Sequence, residues 1–118
     1  MDTHFLLELS NEEFYDVMMD YTWKEPPEDI RKETNKVYGC ATNVWVARID
    51  GELFQDSTGQ FVKGTMAALL DHLEDLDYDD INQVELSDFP FLTPDRISMR
   101  RMRGFDMALK KIKKLHSD

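Results

Sequence analysis

Cysteine is almost missing from this chain: Cys40 is the single one in 118 residues. An internal disulfide is therefore excluded, and so is a thiolate-rich metal site. Glycine (5) and proline (4) are too sparse for a collagen-like or low-complexity chain. Long apolar runs are also missing. Met66 to Leu70 is among the longest, far short of the roughly twenty residues that cross a bilayer, so no membrane role is expected. Basic side chains are scarce, 14 against 24 acidic ones, and the formal charge of -10 argues against a nucleic-acid partner. No HExxH and no calcium-loop pattern occurs, so the acids read as a solvated surface and no metal is expected. The first residues, MDTHFLLELS, hold neither a basic segment nor an apolar stretch of signal-peptide length. That sets a cytoplasmic expectation, with an organellar matrix the alternative after removal of a leader.

What is present is a length suited to one domain, 42% hydrophobic residues, and a charge asymmetry. Residues 1–95 carry 6 basic and 22 acidic side chains, whereas residues 96–118 carry 8 and 2. Ser10 and Asn11 are good N-caps, and Phe14, Val17, Met18 and Tyr21 recur at helical spacing up to Trp23, expected to plug the terminal unit onto the core. Pro26 and Pro27 break the pattern, and Pro27 can open a short helix through Arg31. Residues 1–34 thus form a helical N-terminal segment within a single domain spanning 1–118. Asn43 to Asp50 favours a strand, Asp50-Gly51 favours the positive φ of a type I′ turn, and Glu52 to Ser57 reads as the returning strand. A third strand is expected from residues 36–39 or near Val84.

Val62, Met66, Leu69, Leu70, Leu73 and Leu76 then form one stripe of a helix starting at Gly59 or Gln60. The acids at 75, 77, 79 and 80 mark a loop, and Asp88 to Pro94 an irregular packed connector. A last helix runs from near Gly104, or from as early as Pro94, to Leu115, buried through Phe105, Ala108, Leu109 and Ile112. The fold class is α+β: a small antiparallel sheet packed against helices.

Chemistry centres on Cys40, which follows Gly39 just before the hairpin. A thiol on a turn can serve as a nucleophile, although most free cysteines are small buried hydrophobes. His4, His72 and His116 show no spacing that pairs them with it. Four segments, in order, narrow the reading. Tyr38-Gly39-Cys40-Ala41-Thr42-Asn43-Val44-Trp45 resembles the GCxSxVW signature of the SufE-like sulfur-acceptor family, and Asp56-Ser57-Thr58-Gly59-Gln60-Phe61-Val62-Lys63-Gly64 resembles its DSDAxxVKG segment. Leu92-Thr93-Pro94-Asp95-Arg96 is similar to its LTPxR element, and Gly104-Phe105 with Met107 to its GLxxM helix.

The resemblance implies a SufE-like fold, related to that of iron–sulfur scaffold proteins. It also implies a sulfur acceptor and activator of a PLP-dependent cysteine desulfurase, holding persulfide sulfur on Cys40 and passing it to an iron–sulfur scaffold or another acceptor. PLP then belongs to the partner, this chain needs no cofactor, and it acts as a sulfur-transfer partner rather than a stand-alone enzyme. The alternative is a noncatalytic module that binds and regulates the desulfurase. By the same resemblance, support of the Cys40 loop or partner docking falls to Gly39, Thr42, Asn43, Trp45, Asp56, Ser57, Lys63, Gly64, Arg96 and Arg101. Gly39 permits a sharp turn, and Val44 and Trp45 anchor the strand to the core. Asp56 and Ser57 brace the loop or cap the next helix, and Gly64 packs closely on the hairpin. Arg96 anchors its own segment or meets a partner, and either Arg96 or Arg101 takes the family arginine position. The chain departs from the pattern at Thr42, where serine is customary, and at Thr58-Gly59, which replaces a DA pair. The N-terminal segment also lacks the usual RY…LG pattern.

Overall fold

In the computed structural model the described residues are 6, 8–40, 42–74, 76–89 and 91–117. His4, Ala41 and Asp75, named above, lie outside them, as do Pro90 of the connector and the side chain of His116. Helix α1 spans Asn11–Asp20 and starts at a capping box. The Ser10 hydroxyl accepts from the Glu13 N–H at 3.2 Å, and the Glu13 carboxylate accepts from the Ser10 N–H at 3.1 Å. Its apolar spacing buries Phe14 and Met18. Pro27 then precedes a 3-10 turn at Glu28–Ile30, and a second such turn follows at Glu33–Asn35.

Three strands come next: β1 Lys36–Val37, β2 Val44–Ile49 and β3 Glu52–Ser57, in the antiparallel order β1-β2-β3. The third strand therefore comes from residues 36–37, while Val84 only ends a helix. Asp50 and Gly51 both adopt positive φ, 53° and 82°, as the tight hairpin turn requires. Because side chains alternate along a strand, Val44, Val46 and Leu53 share the face under the helices and are buried. Trp45 points the other way. It is half-buried beneath the Arg31 guanidinium, 4.9 Å from the ring centroid, so it anchors the N-terminal segment rather than the main core.

Helix α2, Gln60–Glu74, lies along β3, with α1 packed on it. Gly64 makes that crossing: a Cβ there would stand 1.6 Å from the backbone oxygen of Met18. The close approach at Gly64 is thus to α1, not to the hairpin. Helix α3, Tyr78–Gln83, occupies the acidic stretch expected to be loop, because Asp77 caps it by accepting from the Asp80 N–H at 2.9 Å, and Ile81 pins it to the core. Phe89 and Phe91 bury the connector. Their rings join Phe61, Phe14 and His72 in an aromatic chain with successive centroids 5.2–6.4 Å apart. Helix α4, Met99–Ser117, starts five residues before Gly104, so Arg100, Arg101 and Arg103 lie on its first turns. It runs against β1 and β2.

Gly64→Ala gains intrinsic helix propensity, about 1 kcal/mol, but forces two backbones apart. A net loss of about 3 kcal/mol is expected in urea denaturation, the upper end of ordinary overpacking costs.

Candidate functional site

Cys40 stands on the connection between β1 and β2. Gly39 before it takes a φ of 92°, which a residue with a Cβ adopts only under strain, and a Cβ there would also approach Met107 Cγ to 3.3 Å. The turn directs the thiol onto α4. There the Cys40 S–H donates to the Gly104 carbonyl oxygen at 3.5 Å, a weak but directional contact. Glycine at 104 favours this approach, since a Cβ would lie 3.2 Å from Sγ and 3.4 Å from both Cα and Cβ of Cys40 and push the loop back by a few tenths of an ångström.

Cys40 and Thr42 from the loop, Val44 from β2, Val62 and Met66 from α2, and Arg101, Gly104 and Phe105 from α4 enclose a narrow apolar cleft. About 20 Å³ of it is open to the centre of a water-sized sphere, room for one such sphere. Burial pushes the Cys40 thiol above its ordinary pKa, so the resting group is held as S–H. Arg101 is the charged member of the lining, its guanidinium resting 4.6 Å from the centroid of the Phe61 ring. His72 meets Phe89 instead, at 5.2 Å, and does not line the cleft. Tyr38 and Met107, both exposed, lie beside Gly39, the first in chain and the second in space.

A second cluster lies along β3. Asp56 Oδ2 accepts from Arg31 Nε at 2.8 Å, while Oδ1 accepts from the Ser57 N–H at 2.9 Å and pairs with Lys63 Nζ at 3.3 Å. Burial alone raises the Asp56 carboxyl, yet Arg31, the Ser57 N–H and Lys63 together outweigh it and hold the group below its ordinary value. The Ser57 hydroxyl turns to Gln55 Oε1 at 3.1 Å, and Gln55 Nε2 donates to the Lys63 carbonyl oxygen at 3.1 Å. Asn43 closes the loop onto the start of α2: its N–H donates to Thr58 Oγ1 at 3.2 Å and its carbonyl accepts from the Thr58 N–H at 3.0 Å.

Of the residues singled out from sequence, Gly39, Cys40, Thr42 and Arg101 come together at the cleft, with Asn43 beside it. Trp45 and Asp56 meet at Arg31 instead, and Ser57 and Lys63 gather on the Asp56 carboxylate. Gly64 sits at the α1–α2 crossing. Arg96 clamps the chain start, donating to the carbonyl oxygens of Leu6, at 2.6 Å, and Leu9 and resting over Phe14. Arg31 was not singled out, because it follows two prolines in a segment with no motif. Gly104 was read as a helix residue only; its contact with a residue 64 positions away has no local signature.

The fold and site define an α+β protein that presents one sheltered thiol beside an apolar cleft. The family model described as SufE, Fe-S metabolism associated domain, matches residues 3–116. The chain belongs to the SufE family. A comparison with curated proteins gives no match. Membership assigns the chain a general role in sulfur transfer, in a family of sulfur carriers that work with cysteine desulfurases rather than as stand-alone enzymes. Among the described residues no group of three or more His, Cys, Asp and Glu side chains could hold a metal ion, and no helix is long and apolar enough to cross a membrane.

The depressed Asp56 carboxyl stabilises the fold fully above the ordinary carboxylate pKa, about 3.9, and that stability is lost as pH falls through the lower folded value. Asp56→Asn should cost about 1 kcal/mol at pH 7, a modest figure because Arg31 and Lys63 are half in water and screened. Urea denaturation of the two proteins from pH 7 down to 2 should show that difference shrinking below about pH 4.

Proposed function

We propose that Cys40 receives sulfane sulfur from the persulfide of a PLP-dependent cysteine desulfurase, stimulates that enzyme by emptying it, and delivers the sulfur toward iron–sulfur cluster assembly or another acceptor. The observation that carries the reading is the pairing of the sole thiol with a cleft sized for one added atom. In the transfer step the Cys40 thiolate attacks the terminal sulfur of the donor persulfide. A new S–S bond forms at Cys40, the donor S–S bond breaks, and the donor cysteine leaves as thiolate. Cys40 is oxidised to the persulfide level, and the donor is reduced, with no further oxidant. The proton that burial keeps on the resting thiol leaves when the loop meets its partner, which ties reactivity to docking.

A free thiol that carries persulfide works in a reducing compartment, and we assign the protein to the cytoplasm or an organellar matrix. The apolar walls of the cleft shelter the loaded sulfur from bulk reductant.

Incubation with a cysteine desulfurase and L-cysteine, followed by intact-protein mass measurement, should show a reductant-sensitive gain of one sulfur on the wild type, mapped to Cys40, and none on Cys40→Ser. Desulfurase stimulation persisting in Cys40→Ser, with no mass gain on either protein, would assign the chain instead to a regulatory binding role.

A further inference from the structure

Two features remain without a role, one in the cleft and one behind it. The first is Thr42. It lines the same space as Cys40, and its hydroxyl is buried with no hydrogen-bond partner among the described residues. A hydroxyl can donate one hydrogen bond, and one buried without a partner is destabilising, so such groups are rare in folded proteins. The second is Gly59. A Cβ built there would stand 3.0 Å from Thr42 Cγ2 and 3.6 Å from Oγ1. Positions 42 and 59 are two at which the chain departs from the family pattern, with threonine for serine and glycine for alanine. The structure places them against each other. The methyl that Thr42 adds occupies the space that an alanine methyl at 59 would need. Threonine is stiff at χ1, so a methyl seated against Gly59 also fixes the direction of the hydroxyl.

We infer that the Thr42 hydroxyl is the hydrogen-bond donor to the terminal sulfur of the Cys40 persulfide, and that Gly59 is the compensating change that lets threonine hold it there. The inference rests on the reading that Cys40 accepts sulfur. The cleft has room for one further atom, and a terminal sulfur in that space supplies the acceptor that Thr42 lacks in the resting protein. A perthiol is more acidic than a thiol because the charge of its anion spreads over two sulfurs, and a donated hydrogen bond favours the anion further. The anion repels attacking thiolates, whereas the protonated form is readily reduced. Thr42 thus lengthens the life of the loaded state by keeping its outer sulfur charged.

The test loads the full chain by exchange with excess cysteine persulfide, in which Cys40 takes the outer sulfur and cysteine is released. After removal of the donor, intact mass follows loss of the added sulfur to a fixed concentration of small thiol, and the pH dependence of perthiol alkylation gives its apparent pKa. Thr42→Val keeps the shape without the hydroxyl. Its thermal midpoint should match or exceed that of the wild type, while the loaded form loses sulfur on the order of ten-fold faster, with the perthiol pKa raised by about one unit, the effect of one charge-assisted hydrogen bond. Thr42→Ser should retain sulfur far better than Thr42→Val. Gly59→Ala should lower the midpoint and speed sulfur loss, and adding Thr42→Ser to it should restore both, a coupling that independent sites do not show. Retention and pH profile of Thr42→Val equal to wild type, or Thr42→Ser as defective as Thr42→Val, would overturn the role of Thr42. Simple additivity of the 42 and 59 changes would overturn the compensation. A wild type that takes no sulfur from the small donor or from a desulfurase would remove the carrier reading itself, an outcome distinct from equal behaviour of loaded variants.

Discussion

The site depends on one close approach, that of the Cys40 loop to the backbone of α4 at Gly104. Hydrogen in place of a methyl lets Cα, Cβ and Sγ of Cys40 settle within ordinary contact of the helix. That contact seats the thiol among Val44, Val62, Met66 and Phe105 and gives its proton a carbonyl acceptor. The raised thiol pKa, the narrowness of the cleft and its apolar walls all follow from the same seating. Loop and helix meet here across 64 residues of sequence, so the site is assembled by packing and not by a local motif.

The Asp56 carboxylate and Trp45 share the face of the sheet opposite Val44 and Val46, the side away from the cleft. Arg31 lies between the Asp56 carboxylate and the face of Trp45, tying residues 28–35 to β2 and β3. Lys63 carries the connection to the first turns of α2, while Asn43 and Thr58 join the end of the thiol loop to the entry of the same helix. The loop is therefore held at both ends: through Gly104 by α4, and through Thr58 by the strand-to-helix junction.

Much of this was legible in the sequence. The apolar stripe from Val62 to Leu73 predicts α2, and Asp50-Gly51 predicts the hairpin, because each signal is local and repeated. The ordered motifs singled out Cys40. Trp45 misled because its size suggested a core anchor, although the parity of Val44 and Val46 already puts it on the other face. The start of α4, bracketed between Pro94 and Gly104, was blurred by three arginines around Met99 and Met102, and α3 was hidden by acids that read as loop until Asp77 is seen as a cap. Arg31 and Gly104 act through contacts that only the assembled fold creates.

The walls of the cleft come from three separate stretches of chain, residues 40–44, 62–66 and 101–105. No fragment of the protein contains the shelter. Chemical preservation of the thiol consequently rests on packing between distant parts of the chain: each opening that separates α4 from the loop exposes the half-buried Cys40 further to solvent oxidants. The fraction of time so exposed rises about ten-fold for every 1.4 kcal/mol taken from the free energy of that opening. Ageing of the thiol pool would then read out how firmly α4 packs on the loop.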